Sequence, residues 1–152
     1  MTEKKLKVCM ISSSGGHFEQ LKMLKPLGDK YDLYWVTEKT DYNNSADYFL
    51  RQCSNSKIKY YFNLFLNCFI SLKIFLREKP DFIVSTGTMV ALPTIMLTKL
   101  FRKKLIYIET FARVNGATKA GKFFCKYADL FIIQWEALRK EYPNSVFGGS
   151  IY

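Results

Sequence analysis

The sequence predicts an α/β fold of the Rossmann type, a doubly wound parallel sheet with helices on both faces. Short apolar runs typical of strands alternate six times with segments of helical periodicity. One run, residues 82–84, is fully apolar, as expected for a parallel strand covered on both faces. The 152 residues suit one domain, predicted to span residues 1–152. A domain of this kind carries half of a binding cleft.

The composition points to an anionic partner. Lys and Arg number 23 and Asp and Glu 13, a formal net charge of +10 that favours phosphates, acidic lipid surfaces or nucleic acid. The four cysteines lack C-x-x-C spacing, so we expect reduced thiols rather than a disulfide framework, and no metal site. The sequence shows no signal peptide and no run of about 20 apolar residues, which predicts a soluble or peripheral protein.

A loop of small residues joins the first predicted strand, residues 8–11, to the helix that follows. The free N–H groups and the positive dipole end of that helix predict a site for phosphate or diphosphate. The loop matches neither standard nucleotide-binding fingerprint, so an ordinary strand–helix turn is the alternative. The candidate binding residues are Ser13, Ser14, Gly15 and Gly16.

His17, the only histidine, stands at the mouth of this loop. An imidazole there can contact a phosphate or take a proton from a sugar hydroxyl. We therefore identify His17 as a candidate catalytic base or phosphate ligand, with an exposed or capping role as the alternative.

The second predicted strand, residues 31–36, leads into a polar loop over residues 37–41. Glu38 or Asp41 could bind a sugar hydroxyl there, although a solvated loop is the simpler interpretation. A short helix is expected over residues 46–52 and a short strand over residues 58–61.

Residues 62–79 have helical periodicity with two apolar faces. The larger arc is expected to be core and consists of Tyr61, Phe62, Leu64, Phe65, Cys68, Phe69, Leu72, Phe75 and Leu76. The opposite face carries an apolar stripe with cations beside it, Leu66, Ile70, Ile74, Lys73 and Arg77. Such a stripe predicts a helix resting on an anionic bilayer. Burial of both faces by neighbouring elements is the alternative.

A second small-residue loop, residues 85–88, follows the strand over residues 82–84. Its candidate binding residues are Thr86, Gly87 and Thr88, which we expect to meet the first loop at one edge of the sheet. A helix over residues 90–100 then ends in an apolar and basic segment. Arg102 and Lys103 in that segment are assigned to a membrane surface.

Glu109 follows the next predicted strand, residues 105–108, and is the only acid between residues 99 and 126. A lone carboxylate among cations at a strand end is placed to bind a hydroxyl or to orient a catalytic group. A salt bridge to Arg113 is the alternative. Helices over residues 119–126 and 135–142, a strand over residues 130–133 and a possible strand in the tail complete the fold.

Four segments, taken in order, resemble those of a known family. They are SSSGGH at residues 12–17, WVTEKTD at 35–41, DFIVSTG at 81–87 and IETFARV at 108–114. The combination resembles accessory subunits of two-component glycosyltransferases, which serve capsular and exopolysaccharide synthesis and, in eukaryotes, addition of the second GlcNAc to dolichol diphosphate. The family is similar to the N-terminal, acceptor-binding half of the peptidoglycan lipid-linked GlcNAc transferase, a GT-B enzyme.

The resemblance implies an acceptor-binding subunit without a cofactor of its own. Residues 15–17 would face a polyprenyl-diphosphate-linked sugar, with residues 85–88 and Glu109 nearby. A separate catalytic subunit, the C-terminal GT-B half, would hold the UDP-sugar, so that the chain alone is inactive or weak. The helices over residues 62–79 and 90–104 would rest peripherally on the cytoplasmic face of the cell membrane.

Two other functions stay open. A self-sufficient homodimeric nucleotide-sugar enzyme would need a donor site, for which 152 residues leave little chain. A nucleic-acid-binding module would explain the charge, but the cations alternate with Leu, Ile and Phe as on a lipid-binding surface, so no nucleic-acid partner is predicted.

Overall fold

The computed structural model describes residues 5–41, 45–52 and 56–152. Its strands are β1 (Lys7–Ser12), β2 (Asp32–Glu38), β3 (Tyr48–Leu50), β4 (Phe82–Gly87), β5 (Lys104–Ile108), β6 (Leu130–Ile133) and β7 (Val146–Phe147). Its α-helices are α1 (Gly16–Lys22), α2 (Lys57–Glu78), α3 (Leu92–Leu100) and α4 (Lys119–Phe124). Short 3-10 helices cover Lys25–Asp29, Met89–Ala91 and Glu136–Lys140.

These strands form one parallel sheet in the order β3-β2-β1-β4-β5-β6-β7. The predicted doubly wound sheet is therefore confirmed. From β1 the chain builds outward through β2 to β3 and then returns to place β4 on the other side of β1. This reversal opens a crevice at the carboxyl ends of β1 and β4, where ligands bind in open parallel sheets.

The two faces of the sheet are covered unequally. One face packs against α2, α3 and α4 and contains the larger core cluster. The other face is covered over β1 and β4 by α1 and over β2 by the segment that follows it, with Leu21 fully buried. On β6 and β7 the same face leaves Leu130 37% and Val146 51% exposed.

Two local predictions are wrong. The expected helix over residues 46–52 is replaced by β3, which pairs with the end of β2, and residues 58–61 begin α2 rather than form a strand. The side chain of Asn67 explains the first difference, because its oxygen accepts from Arg51 N at 2.8 Å and its amide donates to Arg51 O at 2.9 Å. These bonds hold the chain extended just beyond β3.

The predicted orientation of α2 is also wrong. Most of the arc expected to be core lies on the surface, with Tyr61 67% exposed and Phe62, Phe65 and Phe69 each 59% exposed, although Phe75 is buried. The stripe expected to face outward turns toward the protein: Ile74 is 8% exposed, Ile70 packs on the core, and Leu66 is half-buried.

Polar residues explain this orientation. Asn67 and Ser71 are buried on the inner face of α2. Asn67 is hydrogen-bonded to the backbone of Arg51, and Ser71 accepts from the Thr94 hydroxyl at 3.0 Å. Buried polar side chains need hydrogen-bond partners, and Asn67 and Ser71 find theirs on this side of the helix. These hydrogen bonds therefore decide which face of α2 turns inward, although the opposite face has the larger apolar arc. In the described part of the chain no helix has both the length and the apolarity to cross a membrane.

The four cations assigned to a membrane surface have different surroundings. Lys73, Arg77 and Arg102 are exposed, whereas Lys103 is half-buried and lies 3.5 Å from Asp81. Arg77 also lies 3.7 Å from Glu78, but all three of the exposed cations can face an anionic surface.

Candidate functional site

The strands end in a layer of buried polar residues. Apolar positions give way at the carboxyl edge to Ser12, Thr37, Glu38, Ser85, Thr86, Glu109 and Gln134. Because β4 continues to Gly87, residues 85–87 belong to a strand rather than to the predicted loop. A polar edge above apolar strands is the arrangement expected of a ligand-binding site in this fold.

A pocket of about 290 Å³ opens at this edge, beside the crevice. It is lined by His17, Thr88, Tyr107, Thr110, Ala112, Arg113, Thr118 and Ala120. The structure thus brings His17 and Thr88 together, as the sequence predicted. Thr110, Arg113 and Thr118 were not identified as site residues, although Thr110 and Arg113 follow a buried strand in the same way as the predicted ones.

His17 is oriented by main-chain contacts with the end of β4. Its Nδ1 lies 2.9 Å from the Thr86 carbonyl oxygen, and the Thr86 hydroxyl donates to the His17 carbonyl oxygen at 2.8 Å. A carbonyl can only accept, so the neutral imidazole carries its proton on Nδ1. Nε2 then keeps the lone pair that a general base needs.

Gly87 allows this close approach. Its φ is +101°, and a Cβ there would lie 3.0 Å from the Tyr107 hydroxyl and 3.8 Å from the His17 ring. A side chain at this position would therefore strain the backbone and crowd the Tyr107 hydroxyl, whereas its Cβ would only touch the imidazole.

The first loop is only partly available to an anion. Ser13 N donates to the Gly87 carbonyl at 2.9 Å, and both the N–H and the hydroxyl of Ser14 donate to Glu38, at 3.4 and 3.3 Å. The N–H groups of Ser13 and Ser14 thus already have partners within the protein, and the binding role of the two residues stays a prediction. Gly15 and Gly16 have open space above them. Glu38 is buried rather than part of a solvated loop.

Glu109 lies behind the wall of the pocket. It is 1% exposed, and its carboxylate accepts from Thr110 N at 3.0 Å, from the Thr118 hydroxyl at 2.9 Å and from the Tyr142 hydroxyl. Burial, and then the hydrogen bond to Glu109, raise the pKa of the Tyr142 phenol, which therefore stays protonated as a donor. The alternative, an ion pair with Arg113, is not formed, because the carboxylate is taken up by this buried network. Binding a hydroxyl and orienting a catalytic group, the two predicted roles, stay predictions.

Residues of the C-terminal segment also form hydrogen bonds to the backbone around Glu109. Gln134 donates to the Glu109 carbonyl at 2.9 Å and accepts from Ile151 N at 2.9 Å. The Trp135 indole N–H donates to the Phe111 carbonyl at 2.7 Å. Among the described residues, no group of three or more His, Cys, Asp or Glu side chains is placed to hold a metal ion.

Comparison with known proteins identifies the family. Residues 48–151 match the model of the family described as oligosaccharide biosynthesis protein Alg14 like. The chain belongs to this family. The matched part of this Alg14-like chain includes the pocket residues from Thr88 to Ala120, while His17 lies outside it.

Two individual relatives match more of the chain than the family model does. The UDP-N-acetylglucosamine transferase subunit ALG14 of Homo sapiens is 29% identical over 96% of this chain and 83% of its own length. The UDP-N-acetylglucosamine–N-acetylmuramyl-(pentapeptide) pyrophosphoryl-undecaprenol N-acetylglucosamine transferase of Prochlorococcus marinus (strain MIT 9301) is 28% identical over 84% of this chain and 38% of its own.

A solved structure confirms the fold. MurG of Acinetobacter baumannii superimposes with a TM-score of 0.68 at 14% identity, over 87% of this chain and 42% of the MurG chain. The Alg14-like chain therefore has the Rossmann-like fold of one part of a GT-B glycosyltransferase. It spans about two-fifths of each of these two bacterial proteins.

Proposed function

We propose that this Alg14-like chain is the acceptor-binding accessory subunit of a two-chain glycosyltransferase. Its acceptor is a polyprenyl-diphosphate-linked sugar, and its context is the assembly of lipid-linked oligosaccharides for capsular or exopolysaccharide. The pocket in which His17, Thr88 and Arg113 meet carries the proposal. The human relative, a UDP-N-acetylglucosamine transferase subunit, and the P. marinus transferase, which acts on a pyrophosphoryl-undecaprenol acceptor, support this chemistry.

In this function His17 is the general base. Its Nε2 takes the proton of the acceptor hydroxyl as that oxygen attacks the donor sugar, and the Thr86 carbonyl stabilises the resulting imidazolium through Nδ1–H. The departing UDP needs positive charge or hydrogen-bond donors at its diphosphate. These come from the catalytic partner, which binds the UDP-sugar.

The less covered face of the sheet is the docking surface for that partner. An apolar groove of about 350 Å³ lies there, lined by Met23, Leu24, Ile108, Ile132, Gln134 and residues 148–151. Beside it Leu130 and Val146 are exposed on β6 and β7. Apolar sheet faces in this fold class are normally covered by another element.

Reconstitution tests the proposal. Transfer of labelled sugar from UDP-sugars to a polyprenyl-diphosphate-linked sugar is measured with this chain alone, the candidate catalytic chain alone, and both. We expect product to require the catalytic chain and to rise markedly when this chain is added. Full activity of this chain alone, or no effect of adding it, would contradict the proposal. Val146→Glu, beside the groove on β7, should abolish the gain, whereas Leu6→Glu, an exposed apolar position that precedes β1, should not.

We further propose that the exposed face of α2 rests on the cytoplasmic surface of the cell membrane. The face is defined by Ile58, Tyr61, Phe62, Phe65, Phe69 and Leu76, each at least half exposed. Exposed cations lie along the same helix at Lys57, Lys59, Lys73 and Arg77. Aromatic rings beside lysines and arginines are typical of a helix lying in an anionic interface.

Replacing three rings on this face should weaken membrane binding. Because each half-inserted ring contributes on the order of 1 kcal/mol, we expect Phe62→Ser/Phe65→Ser/Phe69→Ser to lower binding to phosphatidylglycerol vesicles by at least about tenfold. Co-sedimentation measures the effect. Leu130→Ser is the matched control and should bind normally. If the triple variant binds the vesicles as strongly as the wild-type chain, the membrane contact lies on a surface other than this face of α2.

A further inference from the structure

We propose that Arg113 is an anion-binding residue of the His17 pocket and that the segment 110–118 is a preformed loop for a phosphoryl group. The inference deepens the proposed function, because it names the part of the acceptor, its diphosphate, that this loop would hold. It was not predicted from the sequence, where Arg113 entered only as an ion-pair partner of Glu109.

Arg113 lines the pocket without a carboxylate partner. Among the described residues, no carboxylate oxygen lies within 4.0 Å of its guanidinium nitrogens. Glu109, the nearest acid in sequence, is buried, and its oxygens accept from Thr110, Thr118 and Tyr142. The guanidinium therefore keeps its donors for a ligand.

The loop is closed on one buried carboxylate. Glu109 accepts from the N–H of Thr110 at the start of the loop and from the hydroxyl of Thr118 at its end. A turn within the loop is fixed by Arg113 N donating to Thr110 O at 3.1 Å, and Trp135 holds the Phe111 carbonyl. Glu109 is thus a positioning residue, and the backbone that carries Arg113 is ordered before any ligand arrives.

The pocket separates two chemical tasks. The diphosphate of the proposed acceptor is esterified at both ends, so its oxygens carry no proton at neutral pH and cannot donate to the free Nε2 of a neutral His17, whereas a sugar hydroxyl can. A guanidinium donates in pairs to phosphate oxygens and is the group best suited to bind them. Arg113 therefore suits the diphosphate, and His17 suits the attacking hydroxyl.

Calorimetry on the whole chain tests the assignment with inorganic diphosphate as the probe. We expect Arg113→Gln to weaken binding at least about tenfold and Arg113→Lys less, because lysine keeps the charge but loses the paired donors. Lys119→Gln is the matched control, since it removes an exposed charge close in sequence but outside the pocket, and should change binding less than about twofold.

A double-mutant cycle tests the part assigned to Glu109. Glu109→Gln should weaken diphosphate binding in the wild-type chain but add little in the Arg113→Gln chain, because it acts through Arg113. If Glu109→Gln weakens diphosphate binding equally in both chains, Glu109 contributes only to the stability of the fold and does not position Arg113. Melting temperatures of all variants are recorded beside the binding curves.

Two further ligands identify the source of the phosphoryl group. Farnesyl diphosphate represents the acceptor and UDP the donor, and we expect dependence on Arg113 to be larger for the former. Larger dependence for UDP would assign the loop to the nucleotide. Equal effects of Arg113→Gln and Lys119→Gln, or no binding by the wild-type chain at millimolar diphosphate, would overturn the inference. If the wild-type chain binds diphosphate but does not raise sugar transfer in the reconstitution, the proposed function is overturned instead.

Discussion

His17→Ala is expected to lower sugar transfer by the reconstituted two-chain enzyme by at least about 100-fold, the usual contribution of a positioned general base. The residue is half-buried, its Nδ1–H is bonded to the Thr86 carbonyl, and its Nε2 is free for the acceptor. The described part of the chain contains no second histidine to replace it. Initial rates at saturating acceptor and donor measure the effect.

A second substitution separates a base from a ligand. The side-chain amide of His17→Gln can still donate to the Thr86 carbonyl, but it cannot accept a full proton at neutral pH. A catalytic base therefore predicts that His17→Gln is about as inactive as His17→Ala. Substantial activity in the Gln variant would show that the imidazole only binds. Both variants should still bind the partner chain and phosphatidylglycerol vesicles, because neither proposed surface includes His17.

Local sequence patterns were enough to predict the features that follow from the parallel sheet. The apolar run over residues 8–11, followed by small residues and an amphipathic segment, corresponds to β1, its loop and α1. Parallel pairing then places the carboxyl ends of β1 and β4 together, which is why the sequence could assign His17 and Thr88 to one site. These inferences need only periodicity and the direction of the strands.

The orientation of α2 depends instead on contacts between residues that are distant in sequence. The inner face of α2 is set by Asn67 bonding to Arg51 and by Ser71 bonding to Thr94, and helical periodicity contains no information about either partner. Apolar content alone therefore selected the wrong face of α2. The stripe that the sequence assigned to a membrane surface therefore lies on the inner side of this helix.

Glu109 shows the same limit within the site. Its position after β5 predicted a functional carboxylate, but its burial depends on Tyr142, which reaches it from 33 residues away. An acid at a strand end is as suitable for fixing a loop as for touching a substrate. Only the three-dimensional contacts separate the two roles, and our proposal gives the direct contact to Arg113.

Gly121→Ala should be among the most destabilising single substitutions in the chain. A Cβ at Gly121 would overlap the Glu109 carboxylate and the Tyr142 hydroxyl and would lie 2.8 Å from the Thr118 hydroxyl. Overpacking and the loss of buried hydrogen bonds together correspond to about 3 kcal/mol. For a chain of this length such a change lowers the melting temperature by roughly 6–12 °C.

Gly16→Ala is the matched control for thermal unfolding. Gly16 begins α1 without a positive φ, and a Cβ there meets nothing within 4 Å, so the melting temperature should change by less than about 2 °C. An equally small change for Gly121→Ala would mean that the Glu109 network does not hold the loop in the folded protein.

The local geometry explains why glycine is needed at position 121. Thr118 caps α4 by accepting from Gly121 N at 2.8 Å, and Gly121 is the third residue of that helix. In a capping box this position carries Glu or Gln. Here the space of that side chain is filled by Glu109, which reaches it from the end of β5 and bonds to the capping Thr118 hydroxyl itself. Any side chain at position 121 would displace the carboxylate that closes the Arg113 loop.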